Sequence, residues 1–120
     1  LKKSLKSSDK LRLKSEFDYV RNKGFKHVAE SLLLVAAPPP NGELRCGVIC
    51  GKKYNKSAVK RNRARRLLWE SFRLLKARIS PNYLILIPRQ RIAALKQPEV
   101  QKHLEKALRK ANLLKDFSDI

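Results

Sequence analysis

From Tyr83 to Ile87 the chain reads Tyr-Leu-Ile-Leu-Ile, apolar at every position. A strand with one wet face alternates apolar and polar side chains. This one does not, so Asn82–Ile87 is expected to be a strand buried on both faces. The remaining segments must supply a sheet around it and helices to cover that sheet.

The flanking segments read as those parts. Residues 1–10, rich in Lys and Ser, are expected to be loose. Ser15 with Asp18 resembles a helix N-cap, and the helix from about 15 to 23 should stop at Gly24. Phe17 and Arg21 share a face of it, with Val20 on a flank. The stretch His27–Ala37 turns β-prone at Leu32–Val35, with room for an extra short strand before Leu32. Pro38-Pro39-Pro40-Asn41-Gly42 marks a turn, after which Leu44–Gly51 reads as the next strand of a hairpin. Leu44, Cys46, Val48 and Cys50 line one of its faces, and Arg45, Gly47, Ile49 and Gly51 the other. The glycines leave that second face bare, either to admit a ligand or backbone or to accommodate a bulky neighbour.

A long helix is expected from Asn55 or Ser57 to about Arg78. Its buried stripe is Ala64, Leu68, Phe72, Leu75 and Ile79, with Leu67 beside it. Asn62, Arg65, Arg66, Trp69, Arg73 and Lys76 lie opposite. Pro88–Gln97 reads as a basic loop. Pro98 opens a last helix packed through Val100, Leu104, Ala107, Leu108 and Ala111, and residues 113–120 read as a tail. The expected fold is therefore α+β, an α/β sandwich. About four strands of a small mixed sheet and three helices follow in the order α-β-β-(β)-α-β-α, as one domain over residues 1–120.

Charge decides the class of partner. The net charge is +19 in 120 residues, and it is densest in Lys52, Lys53, Lys56, Lys60, Arg61, Arg63, Arg65 and Arg66, with no acid among them. That run leads into the apolar stripe of a helix, so it belongs to a folded element. Like charges on adjacent turns destabilise a helix unless a polyanion relieves them, and nucleic acid is the first candidate. Arginine suits bidentate contact with phosphate, and Asn62 suits a base edge or a 2′-hydroxyl. Trp69 is either a partly covered hydrophobe or a platform for an unpaired base.

Other chemistry finds little support. The ten acids are scattered, and no Ser-His-Asp or Cys-His grouping or Walker A spacing is present around Gly51-Lys52-Lys53. Cys46 and Cys50, about 13 Å apart along a strand, are beyond disulfide reach and read as buried small hydrophobes. They are too few for a zinc site unless His27 and His103 converge. No apolar run reaches the ~20 residues of a membrane span, and a secretory signal is missing, so a cytoplasmic, reducing location is expected. The chain opens on Leu1 rather than Met, as a processed or trimmed start would.

Arg45-Cys-Gly-Val-Ile-Cys-Gly-Lys-Lys53, followed by Ala58-Val-Lys-Arg-Asn-Arg-Ala-Arg-Arg-Leu-Leu-Trp-Glu-Ser-Phe-Arg73, resembles the protein subunit family of bacterial ribonuclease P. Leu13, Phe17, Val20 and Gly24, the strand at 32–37, the Tyr83–Ile87 strand and the last basic helix fall in the family's order, so the likeness spans roughly residues 10–113. It implies a left-handed β-α-β crossover, against the usual right-handed rule. It also implies a ribonucleoprotein that removes the 5′ leader of precursor tRNA, with the catalytic site and its Mg²⁺ ions in an RNA subunit. This chain would supply no catalytic side chain, no metal ligand and no organic cofactor.

On the same resemblance, Lys52, Lys53, Lys60, Arg61, Asn62, Arg63, Arg65 and Arg66 would dock the catalytic RNA, and Trp69 joins them as a candidate by its place on the basic face. The single-stranded leader would lie in a cleft lined by Phe17, Arg21, Val35, Arg45, Gly47 and Ile49. Arg21 replaces a common second aromatic and Val35 a common Tyr, which shifts leader binding towards phosphate charge. Trp69 stands where a basic residue is usual, so the resemblance carries over no role for it. A monomer when free and no membrane partner are expected. A ribosomal or other structural RNA-binding protein fits size and charge as well. A duplex-DNA reader fits less, because a strand rather than a helix precedes the basic helix.

Overall fold

Both faces of the strand are covered from Tyr83 to Leu86, and Ile87 is partly buried. The computed structural model describes residues 5–116. Its elements are α1 (Lys14–Lys23), β1 (Phe25–Val28), β2 (Leu32–Ala37), β3 (Arg45–Val48), α2 (Ala58–Leu75), β4 (Tyr83–Pro88) and α3 (Gln97–Lys110). They form the expected α+β arrangement, with β1 as the extra strand. Short 3-10 turns occupy Ser7–Asp9, Lys76–Arg78 and Gln90–Ala94.

The sheet order is β1-β2-β4-β3. On one face Leu32, Leu34, Leu84 and Leu86 pack with Cys46 and Cys50 against Leu68, Phe72 and Leu75 of α2 and Leu104 and Leu108 of α3. On the other, Val35, Ala37, Tyr83 and Ile85 pack under Val20 of α1 and Leu11. The first face is the main core, and each of its large side chains contributes about 1.5–3 kcal/mol through burial.

Two expectations are corrected. β3 does not form a hairpin with β2: it runs parallel to β4, with Arg45 opposite Tyr83 and Val48 opposite Leu86. β2 instead pairs antiparallel with β1 and β4. The strand that is apolar on both sides takes an inner position, and the glycine-bearing strand goes to the edge. The cap of α1 is not Ser15 or Asp18. Glu16 reaches back to accept from the backbone N–H groups of Arg12 (2.8 Å) and Leu13 (2.9 Å). Gly24 does end α1, but at φ −87°, so its smallness rather than a left-handed backbone is what matters there.

The chain ends are also more ordered than expected. Of residues 1–10, those from 5 onward are described. Asp9 pairs with Lys76 at 3.1 Å, Lys10 bridges to Cys46, and Leu11 N–H donates to the Cys46 carbonyl at 3.0 Å. Asn112 turns through φ 61° just before the expected tail, and Leu113, the tail's first residue, is buried. Ser80 N–H donates to Leu113 O at 2.8 Å, and Lys115 N–H to Arg78 O at 2.7 Å. Residues 1–4 and 117–120 lie outside the described residues. The Pro88–Gln97 segment is no open loop, since Ile92 and Leu95 are buried in the core. No helix among the described residues is long and apolar enough to cross a membrane.

Candidate nucleic-acid interface

The basic helix starts abruptly. Ser57 caps α2, its Oγ accepting from Lys60 N–H at 3.4 Å, and its own N–H donates to Asn55 Oδ1 at 2.9 Å. No acid occupies the first turn, so the positive end of the helix dipole coincides with Lys60 and Arg61. Ala64, Leu68, Ser71, Phe72 and Leu75 turn inward. Ser71 breaks the expected stripe and satisfies its hydroxyl on Leu67 O at 2.8 Å. Val59, Asn62, Arg66, Trp69 and Arg73, spaced by three and four, form the outward face.

The expected RNA contacts divide into two groups. Arg61 donates to the carbonyls of Asn55 (3.0 Å) and Lys56 (2.8 Å). Arg65 Nη2 donates to Cys50 O at 2.7 Å and its Nη1 to Asn62 Oδ1 at 3.1 Å. Arg63 reaches across to Ile92 O (3.4 Å), Ala93 O (3.3 Å) and Leu95 O (2.5 Å). These guanidinium groups brace the loops on either side of α2, a role that a reading as pure phosphate contacts misses. Lys52, Lys53, Lys60 and Arg66 are exposed and make no side-chain hydrogen bond or ion pair among the described residues. They are the cations left for an anion.

The bracing role is testable alone. Arg63→Ala leaves three loop carbonyls without their charged donor, at a cost of about 2 kcal/mol. Its thermal midpoint should fall by roughly 5–10 °C in a calorimetric scan without RNA. An unchanged midpoint would return Arg63 to the contact group.

The second site lies on the opposite side of the sheet. The expected leader residues do not all reach it. Val35 is buried beneath the α1–β1 corner, with its Cγ1 2.9 Å from where a Gly24 Cβ would sit. Gly47 is buried under Phe17, whose Cε1 would be 2.5 Å from an added Cβ. Here the bare strand accommodates a bulky neighbour. Arg45 pairs with Glu16 (3.1 Å) and Glu43 (2.9 Å) and lies 6.0 Å from the Tyr83 ring centroid, so its charge is already offset. Burial pushes the Glu16 carboxyl up, yet the Arg12 and Leu13 N–H groups and the Arg45 charge outweigh it and hold it below its ordinary range.

Phe17, Arg21 and Ile49 remain available. Glu16 and Tyr19 occupy the flank of α1 that meets Arg45 and Tyr83. At 100° per residue, Phe17 and Arg21 fall on the other flank. Leu33 stands opposite Ile87, and Ile49, whose N–H donates to Leu86 O at 3.0 Å, extends their row across β4. All three are only partly buried, so they present an apolar row on the same face as Phe17. Leu33 and Ile87 escaped the sequence reading because strand alternation reveals their face but not their neighbour. Among the described residues, no three His, Cys, Asp or Glu gather to hold a metal ion.

A family model described as Ribonuclease P matches residues 5–112. The ribonuclease P protein component of Synechococcus sp. (strain JA-2-3B'a(2-13)) is 33% identical over 115 residues, covering 92% of this chain and 86% of that protein. Its counterpart in Exiguobacterium sp. (strain ATCC BAA-1283 / AT1b) is 30% identical over 109 residues, covering 91% and 95%. Among solved structures, an RNase P protein from Staphylococcus aureus superposes with a TM-score of 0.78 at 23% identity, over 89% of this chain and 98% of that one. One from Thermotoga maritima gives 0.74 at 23%, over 84% and 96%. The two superpositions establish the shared fold.

Proposed function

The chain belongs to the ribonuclease P protein family, the protein component of the ribonucleoprotein that processes the 5′ end of tRNA, and we propose that α2 is its dock for the RNA subunit. The observation that carries this is the segregation of cations. Among the described residues Lys52, Lys53, Lys60 and Arg66 stand exposed without side-chain partners, while Arg61, Arg63 and Arg65 hold the loops that present them. Phosphates supply the missing counter-charge, and Asn62 and Val59 lie between them to meet ribose or base edges.

The apolar row on the far side takes the single-stranded 5′ leader of precursor tRNA. Leu33, Ile87 and Ile49 form an apolar floor for bases, Phe17 a stacking wall, and Arg21 a phosphate contact. Two RNA sites on opposite faces let one small protein clamp substrate to catalyst. The phosphodiester hydrolysis belongs to the RNA subunit and its Mg²⁺, and this chain contributes binding and orientation only. The free protein is monomeric and acts in the cytoplasm.

The leader site is tested on the assembled ribonucleoprotein. Phe17→Ala should weaken binding of leader-bearing precursor tRNA by roughly tenfold, with binding of mature tRNA unchanged. Phe17→Leu, which keeps contact with Gly47 but cannot stack, should lose nearly as much. Equal losses for both tRNAs would remove Phe17 from the leader site.

A further inference from the structure

The outward face of α2 carries one large side chain that phosphate contact leaves unexplained. Trp69, the only tryptophan in the chain, meets Phe72 edge-on, with ring centroids 6.1 Å apart and planes at 78°. Lys10 Nζ stands 4.9 Å from its ring centroid. These contacts fix the indole and leave it partly exposed, lining an open hollow of about 540 Å³. Leu5 and Leu67 line the hollow with it, and arginines rim it. The volume falls within the roughly 300–1,000 Å³ usual for small-ligand sites.

An apolar wall with an aromatic ring, rimmed by cations, selects its ligand. Inorganic phosphate has no use for the indole, and an aliphatic ligand has none for the guanidinium groups. A folded partner needs roughly 800 Å² of contact per side, more than one hollow offers. A nucleotide satisfies both parts, with a flat base for the ring and a phosphate for the rim. The rim also shows where the phosphate sits. Arg63 is tied to Leu95 O, Arg65 to Cys50 O, and Arg73 to Glu70. Arg66 makes no hydrogen bond or ion pair among the described residues, and it lies one turn from Trp69 on the same face.

We propose that this hollow holds one unpaired nucleotide of the RNA subunit, its base stacked on Trp69 and its phosphate on Arg66. This rests on the proposed docking of RNA against α2 and adds to it a stacking contact within the charged face. An extruded base would fix the register of the RNA along the helix, which phosphate contacts alone leave free to slide.

Because Trp69 is the sole tryptophan, its emission reports the site directly. The full chain is titrated with ribonuclease P RNA, and separately with adenosine monophosphate as a free nucleotide. The RNA should quench the emission. Arg66→Gln, which disturbs no packing, and Trp69→Leu should each weaken RNA binding about tenfold, and Trp69→Phe should recover most of the loss. Tight RNA binding with unchanged emission, or Arg66→Gln and a folded Trp69→Leu at wild-type affinity, would overturn the stacking site and leave the docking face standing. Quenching by adenosine monophosphate but not by RNA would overturn it in favour of a free-nucleotide site. No RNA binding at all would sink the docking reading beneath it.

Discussion

Replacing Lys52, Lys53, Lys60 and Arg66 together with glutamine is expected to weaken binding to ribonuclease P RNA by roughly a hundredfold or more near 0.1 M salt. The log–log dependence of affinity on salt should become shallower by roughly three to four, about one for each phosphate no longer neutralised. The protein itself should be unharmed. None of the four side chains makes a hydrogen bond or ion pair among the described residues, and Lys60 sits in the first turn of α2, where positive charge opposes the helix dipole. A thermal midpoint equal to or above that of the parent is therefore part of the result. Mutating Arg61, Arg63 or Arg65 would not give so clean an answer, since each also holds a loop carbonyl. Unchanged affinity and slope in a filter-binding titration would remove α2 from the interface.

Gly24→Ala is expected to be strongly damaging for a single methyl group. An added Cβ would stand 2.4 Å from Val20 O, 2.9 Å from Val35 Cγ1 and 3.0 Å from Ala36 O. Two of those atoms are backbone and cannot swing aside, and Gly24 N–H already donates to Val20 O at 2.7 Å. The cost should reach about 3 kcal/mol, the upper end for overpacking, and lower the midpoint by roughly 10 °C. Two other glycines serve as controls. Gly51→Ala meets nothing within 4 Å and should be neutral. Gly42→Ala also has space, but at φ 74° it should cost about 1 kcal/mol through its backbone. If Gly24→Ala were as mild as Gly42→Ala, the close approach of α1 to β2 would be wrong. Because that corner sets the tilt of α1, surviving Gly24→Ala protein should also bind leader-bearing precursor tRNA more weakly.

Faces were legible in the sequence, and neighbours were not. The unbroken run Tyr83–Ile87 announced an inner strand, and the spacing of Ala64, Leu68, Phe72 and Leu75 announced the inner side of α2. Both follow from periodicity, a local property. That β3 lies beside β4 rather than β2 is a matter of register and partner, which a period of two does not encode. Val35 drops out of the leader site for the same reason: its face was right, but α1 covers it. The basic run showed where charge gathers. It could not show that Arg61, Arg63 and Arg65 spend theirs on backbone carbonyls, because Leu95 and Ala93 lie about thirty residues from Arg63 in sequence. Gly47 offered two meanings, and the Phe17 ring decided between them. The polar-looking segments near the ends were underestimated because their order depends on long-range bonds, such as Asp9 to Lys76 and Lys115 to Arg78.

The central proposal is that this small basic protein makes an RNA catalyst work on tRNA without supplying the chemistry. The most direct measurement is cleavage of a leader-bearing precursor tRNA at low Mg²⁺ by ribonuclease P RNA, with and without the full chain. The account predicts 5′ leader release only when both are present, and none from the protein alone. Protein that binds the RNA yet leaves cleavage unchanged at every Mg²⁺ concentration would contradict it, and would make α2 an anchor of the kind found in structural RNA-binding proteins.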